Sequence, residues 1–282
     1  MSKKKIALIV TICLLAIVIS LGLWAFVIEP NRLVLNSVTV ALPNWPAPLN
    51  GLKIVAIGDI HGGSNFITEA KIQKLVEQAN AQNPDVTVLL GDFVTGSKPT
   101  DPLMSQETVA RNLSGLRAKY GVFAVLGNHD WWTDGFRMLK ALSDVGIRVI
   151  DNDAVRIIHN GQTVWMMGVP DFSTQWHASL KGAWDKITTP DPVIAITHSP
   201  DVFPELSPRI TLTLAAHTHG GQVSLPLVGR LVVPSMYKQR YAAGLIRDGD
   251  RSLFVTTGVG TSVFPVRFGV PPEVAILTLV GK

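Results

Sequence analysis

Histidine is scarce in this chain, yet five of its seven copies fall in short polar clusters that each follow an apolar run. The clusters are Asp59-Ile60-His61, Gly91-Asp92, Gly127-Asn128-His129-Asp130, His198 and His217-Thr218-His219; His159 and His177 stand apart. Asp59, His61, Asp92, Asn128, His198, His217 and His219 form an oxygen and nitrogen donor set without sulfur, which suits Mn, Fe or Zn. Seven donors are too many for one ion. Two divalent metal ions roughly 3.5 to 4 Å apart share a carboxylate, clamp both oxygens of an in-line phosphoryl displacement and acidify a bound water. Asp92 is the natural shared carboxylate. His129 is a candidate catalytic proton or hydrogen-bond donor, with Asp130 as the group that orients it.

Taken one at a time these residues are unremarkable, because a lone histidine is more often structural and an Asp after a strand is often a helix cap. Their joint pattern points to a metal site. Side chains two apart in an extended segment point the same way, so Asp59 with His61, and His217 with His219, should each offer two donors to one side.

The elements that must position these groups are readable from periodicity. Leu52–Ile57 and Val86–Leu90 are short β-branched runs of the kind buried on both faces, and Gly121–Leu126 is a third. Between the first two, Thr68 can cap a helix reaching about Gln82, with Ile72, Leu75, Val76 and Ala79 as its apolar stripe. A loop over Thr95–Pro102 leads to a second helix near Met104–Ala118, and Phe136–Val145 reads as a third. Asn160-Gly161 predicts a tight hairpin between Val155–Ile158 and Thr163–Val169. Val193–Thr197, Leu212–Ala216, Leu253–Thr257 and Ala275–Val280 complete the strands. The strand-helix-strand order implies parallel pairing. The fold class expected is α/β: two mixed β-sheets packed as a sandwich and flanked by helices, with the polar clusters along one edge.

Ahead of this domain, Ile6–Ile28 is apolar and uncharged, long enough to cross a bilayer as a helix. It exceeds a signal-peptide core and lacks a clear small-residue cleavage site, which favours an uncleaved anchor. Lys3, Lys4 and Lys5 precede it, so the N-terminus should be cytoplasmic and the catalytic domain on the other side of the cell membrane. The expected organisation is a membrane anchor over residues 1–30, an extended proline-broken linker over 31–51 with room for one edge strand, and the catalytic domain over 52–282.

The net charge of +4 does not indicate a nucleic-acid partner, since three lysines and Glu29 in the first thirty residues account for half of it. Cys13 lies inside the apolar span, so the domain has neither a disulfide framework nor a thiolate ligand.

GDIHGG, GDFVTG, GNHD, His198 and HTHGGQ resemble the five motifs of the calcineurin-like metallophosphoesterases, over roughly Lys53–Gln222. Tyr241, Gly244, Gly258, Gly260, Arg267 and Pro272-Glu273 are more loosely similar to the end of the membrane-associated YkuE-like branch. The resemblance implies one metal on Asp59, His61, Asp92 and His219, and another on Asp92, Asn128, His198 and His217. It implies that His129 faces the phosphate, supported by Asp130. Ala216 departs from the family pattern, which has glycine before His-Thr-His, and this puts local backbone geometry in question.

The function expected is hydrolysis of phosphoester bonds, diesters ahead of monoesters, at a membrane. Trp131-Trp132 beside His129 would suit a lipid-linked phosphate, although these tryptophans could simply pack, and Trp176, Trp184 and Val223–Gly229 could equally be core or loop. The alternatives are a pyrophosphatase of a nucleotide-linked lipid precursor of the UDP-diacylglucosamine type, whose cytoplasmic substrate conflicts with the lysine topology, and a non-catalytic membrane-anchored binding domain.

Overall fold

Along Lys53–Ile57 successive side chains enter two different cores: Ile54 and Ala56 face one, Val55 and Ile57 the other. A strand has a side-chain period of two, so an unbroken apolar run is stable only where both faces are covered. The computed structural model describes residues 1–98, 103–174 and 180–282. His177, Trp176 and the end of the Thr95–Pro102 loop lie outside these.

The strands are β1 (Val34–Leu42), β2 (Lys53–Ile57), β3 (Val86–Leu90), β4 (Val122–Val125), β5 (Arg148–Val149), β6 (Ala154–His159), β7 (Gln162–Gly168), β8 (Val193–Ile196), β9 (Ile210–Ala215), β10 (Ser224–Leu225), β11 (Gly229–Arg230), β12 (Gly244–Asp248), β13 (Arg251–Val255) and β14 (Glu273–Gly281). The helices are α1 (Lys3–Leu23), α2 (Glu69–Asn80), α3 (Gln106–Leu113), α4 (Asn128–Asp144) and α5 (Lys181–Lys186).

One six-stranded sheet runs β1-β14-β2-β3-β4-β5 and another runs β12-β13-β9-β8-β7-β6. Strands β2 to β5 are mutually parallel, as are β13, β9, β8 and β7, while β14 runs against β2. The sheets pack face to face through Ile54, Val88 and Val125 on one side and Ile194, Leu212 and Phe254 on the other. The outer face of the first sheet is covered by α2, α3 and α4 through Ile72, Leu75, Val109 and Met138. The outer face of the second is covered by α5, with Trp184 packed against the cluster that includes Trp165 and Met167. The expected α/β sandwich of two mixed sheets is the fold of this chain.

Parallel strands deliver their carboxyl ends to one edge, which is where ligands bind in open α/β sheets. That edge carries the loops after β2, β3, β4, β8 and β9.

Several boundaries differ from the sequence reading. The edge strand allowed for in the lead-in is present as β1, which pairs with β14 from Val34↔Glu273 to Leu42↔Gly281, so the sheet begins well before Leu52. The third helix starts at Asn128 rather than Phe136, because the Asp130 carboxylate accepts the Gly127 N–H at 2.9 Å and caps the first turn. Non-helical backbone at Asp134 (φ −166°, ψ 84°) then kinks it, and Phe136–Val145 corresponds to the portion beyond the kink. Thr68 caps α2 as expected, accepting the Lys71 N–H at 3.2 Å. Asn160 and Gly161 both have positive φ and close the β6–β7 hairpin. Of the two readings open for Val223–Gly229, core or loop, the second holds, since Leu227 and Val228 are exposed.

The helical run Lys3–Asn31 is long and apolar enough to cross a membrane, and α1 has no buried residue. Its end is fastened to the domain: Ala25, Glu29 and Pro30 are buried, Glu29 accepts from Trp24 Nε1 at 2.7 Å and from Gly269 N–H at 3.0 Å, and Lys71 Nζ donates to the Pro30 carbonyl at 3.2 Å.

Candidate metal centre

The loops at the shared edge bring all seven expected donors together. Asp59 and His61 follow β2, Asp92 follows β3, Asn128 opens α4 after β4, His198 follows β8, and His217 and His219 follow β9. Ligand atoms of Asp59, His61 and His219 lie within 4.8 Å of one another, and so do those of Asp92, His198 and His217. Asn128 joins the second group through its Oδ1, 3.0 Å from His198 Nε2. Asp92 stands between the groups, its Oδ2 3.3 Å from His198 Nε2 and 3.6 Å from His61 Nε2.

The expectation that Asp59/His61 and His217/His219 converge because they sit in extended backbone is incorrect. Asp59 (φ 52°), His61 (φ 48°), Asp92 (φ 55°), His217 (φ 71°) and His219 (φ 51°) are all left-handed. For residues other than glycine this conformation costs on the order of 1 to 3 kcal/mol each and survives only where the surroundings enforce it. Tight turns at the strand ends, not strand geometry, aim these side chains. Hydrogen bonds across the edge hold the turns, with Asp59 N–H donating to Gly91 O at 3.1 Å and His61 N–H to Asp92 O at 3.0 Å.

Asp130 also acts differently from the expectation. Its carboxylate does not orient the His129 ring; it accepts backbone N–H groups from Asp92, Phe93 and Val94 as well as Gly127. It is a positioning residue that fixes the turn carrying Asp92. The His129 ring is oriented by Gly96, whose carbonyl lies 2.6 Å from Nδ1, which leaves Nε2 directed away from that bond. His129 N–H meanwhile donates to Asp92 Oδ1 at 2.9 Å.

Burial would raise the Asp92 carboxyl, but the charge and hydrogen bond of His198, followed by His61 and His129, outweigh it and hold the group well below the usual carboxylate range. In the same pair, burial would lower His198, and Asp92 holds it well above the ordinary imidazole value. Burial pushes Asp59 up to about 7 and lowers His61 to about 3 and His217 to about 4.

These residues fit divalent cations. His61 Nε2 and His219 Nε2 face each other at 3.1 Å, and His217 Nδ1 faces His198 Nε2 at 3.1 Å. Imidazole nitrogens that converge in this way suit a cation held by both rings. Among the described residues Asp59 Oδ2 and His219 Nδ1 are buried without a hydrogen-bond partner. His198 Nδ1 is 2.7 Å from the Leu90 carbonyl, the outer contact that leaves Nε2 free to ligate.

The profile of the calcineurin-like phosphoesterase family matches residues 52–221, more than half of the chain and the whole donor set. The chain belongs to this family. The phosphoesterase is 26% identical to the uncharacterized metallophosphoesterase YkuE of Bacillus subtilis, over 91% of this chain and 88% of that protein. It is 31% identical to the phosphodiesterase YaeI of Escherichia coli, over 81% of this chain and 82% of that one. It is 26% identical to the UDP-2,3-diacylglucosamine pyrophosphatase LpxG of Chlamydia trachomatis, over 90% of this chain and 91% of that one.

The departure at Ala216 is accommodated inside the phosphoesterase. A Cβ on Gly58 would lie 2.5 Å from the Ala216 Cβ, so the methyl absent from Gly58 leaves room for the one present on Ala216. The turn keeps its aim, since His217 N–H still donates to Asp59 Oδ1 at 3.1 Å.

Two parts of the centre carry no sequence signature of their own. Arg267, noted only as a tail motif residue, is wholly buried and donates to the carbonyls of Thr257, Gly258, Gly260 and Val270, making the floor beneath Asp59. Burial lowers its guanidinium to about 10. Asp171, also buried, accepts from Ser173 and Thr174 and lies near enough to His198 to raise it. No local sequence signal separates either residue from an ordinary loop arginine or aspartate.

Proposed function

We propose that the phosphoesterase is a membrane-anchored hydrolase of phosphodiester bonds that works with two divalent cations of the Mn, Fe or Zn type. The observation that carries this reading is the position of Asp92 between two donor groups, with His129 seated on its other oxygen. Asp59, His61, Asp92 and His219 would hold one cation, and Asp92, Asn128, His198 and His217 the other. Such cations supply neutralisation of phosphoryl charge and an acidified water.

The chain's own residues do the rest. Asp92 couples the two groups, and its hydrogen bond from His129 N–H fixes the start of α4 against them. His129, held through Nδ1 by Gly96, keeps Nε2 for hydrogen bonding or proton donation to the leaving oxygen. Trp132, about half exposed with its ring 4.9 Å from that of His129, offers an apolar wall beside the leaving group. Together with the apolar helix α1, this favours an amphipathic, lipid-linked phosphate. The lysines before α1 favour a cytoplasmic N-terminus and a domain on the far side of the membrane.

The similarity to LpxG favours a second reading, cleavage of a pyrophosphate in a nucleotide-linked lipid. The experiment compares hydrolysis by the full chain in detergent of a chromogenic diester, a chromogenic monoester and a dialkyl pyrophosphate. Preference for the diester supports the first reading and preference for the pyrophosphate the second. A monoester preference overturns both.

A further inference from the structure

Two loops beside the metal centre expose apolar side chains that none of the described residues covers. The β10–β11 hairpin and the residues after it present Leu227, Val228, Leu231 and Val232, and the segment after Gly260 presents Val263 and Phe264. Val263 is 91% exposed and Phe264 67%. Leu227 (φ 65°) and Val263 (φ 62°) are held in left-handed backbone, an outlier for a β-branched residue such as Val263 and uncommon for leucine. Scattered exposed apolar residues need no explanation, but a contiguous group does.

The loops form one unit. Ser224 N–H donates to the Phe268 carbonyl at 2.7 Å, Gln222 Nε2 to the Phe264 carbonyl at 3.2 Å, and Ser262 N–H to Gln222 Oε1 at 2.7 Å. The unit is also joined to the end of the apolar helix. Arg267 N–H donates to the Ala25 carbonyl at 3.0 Å and Gly269 N–H to Glu29 at 3.0 Å. Only two residues separate Phe264 from Arg267. On the other side, Val263 and Phe264 border a cavity of about 180 Å³ that His61 and His129 also line.

We propose that this apolar rim is a second membrane contact, seated in the headgroup and upper acyl region beside the end of α1, so that the mouth of the metal centre opens at the lipid surface. The proposal rests on the reading that α1 spans a bilayer. A lipid surface fits better than a polar partner, because neither Val223–Val233 nor Thr261–Gly269 contains an acidic residue and the helix end places the rim at the interface. It makes the substrate an amphiphile whose phosphate enters from the membrane plane.

The test places an environment-sensitive fluorophore on single cysteines in the full chain: Phe264→Cys, Leu227→Cys and, at the far end of β13, Asp250→Cys, each with Cys13→Ser. The unaltered chain, labelled at Cys13, reports on the anchor. The proteins are reconstituted in vesicles of phosphatidylcholine and phosphatidylglycerol carrying a nitroxide about 5 to 10 Å below the headgroups, the depth interfacial side chains reach. The expected result is loss of emission at positions 264 and 227, with no loss at 250. Free access of iodide to 264 and 227 with no loss to the nitroxide overturns the rim. So does protection from iodide without nitroxide quenching, which would mean a protein covers these loops. Quenching of the Cys13 probe without quenching at 264 and 227 leaves the anchor standing and sinks the rim; absence of quenching at Cys13 sinks the anchor itself.

Discussion

Asp92 uses its two oxygens for two tasks: Oδ1 accepts the His129 N–H at 2.9 Å, while Oδ2 lies between His198 at 3.3 Å and His61 at 3.6 Å. One side chain thereby ties the start of α4 to both donor groups. Asp92→Asn keeps the size but loses the charge, and it should lower bound metal and turnover together. Metal analysis alongside rate measurement checks this, and a variant with full metal and full rate would remove Asp92 from the bridging role.

His129 should separate the two readouts. His129→Ala is expected to lower the rate by about 10²- to 10⁴-fold, the range for loss of a positioned proton donor, with metal content unchanged. Its ring also lies close to His61 and Asp92. A fall in metal content parallel to the fall in rate would make it a ligand.

The contact between Gly58 and Ala216 predicts a compensating pair. Gly58→Ala adds a Cβ 2.5 Å from the Ala216 Cβ, and such overpacking costs about 1 to 3 kcal/mol. Thermal unfolding should show a lowered Tm for Gly58→Ala and recovery in Gly58→Ala with Ala216→Gly. Equal Tm values for the single and double variants would show that the turn relaxes by another route.

The main strands and the candidate donors were legible in the sequence because burial on both faces demands unbroken apolar runs, and polar residues that end such runs stand out. Legibility ended where long-range contacts decide local structure. The left-handed backbone at Asp59 and His217 is enforced by hydrogen bonds such as Asp59 N–H to Gly91 O and His217 N–H to Asp59 Oδ1, between segments far apart in the chain. Sequence adjacency suggests Asp130 as a partner of its neighbour His129, whereas its acceptor capacity goes to Asp92, Phe93 and Val94, 36 to 38 residues earlier. For β1 the sequence allows an edge strand between Pro30 and Pro43 without fixing its extent, because its partner β14 lies more than 200 residues away; the pairing runs from Val34 to Leu42.

Metal uptake should depend on pH with a sign set by the metal-free side chains. Asp59, pushed up to about 7 by burial, retains its proton below that pH and must release it to ligate. His198, held above its ordinary value by Asp92, must do the same at higher pH. His61 at about 3 and His217 at about 4 are already neutral. Affinity should therefore rise with pH by about tenfold per unit for each proton displaced, with Asp59 ceasing to contribute above about 7 and His198 continuing to do so. Calorimetric titrations with Mn²⁺ in buffers of different ionisation enthalpy measure the protons released. No proton release at pH 6 would contradict the Asp59 assignment.

The most direct measurement strips the full chain with a chelator in detergent, then titrates it with Mn²⁺ while following bound metal per chain and hydrolysis of a chromogenic diester. The full chain is needed because Glu29 and Pro30, at the end of the apolar helical run, are buried in the domain. The expected result is no turnover in the stripped protein, two ions bound per chain at saturation, and activity that returns with the second. Full turnover without metal, or saturation of activity at one ion per chain, would contradict a dinuclear centre built around Asp92.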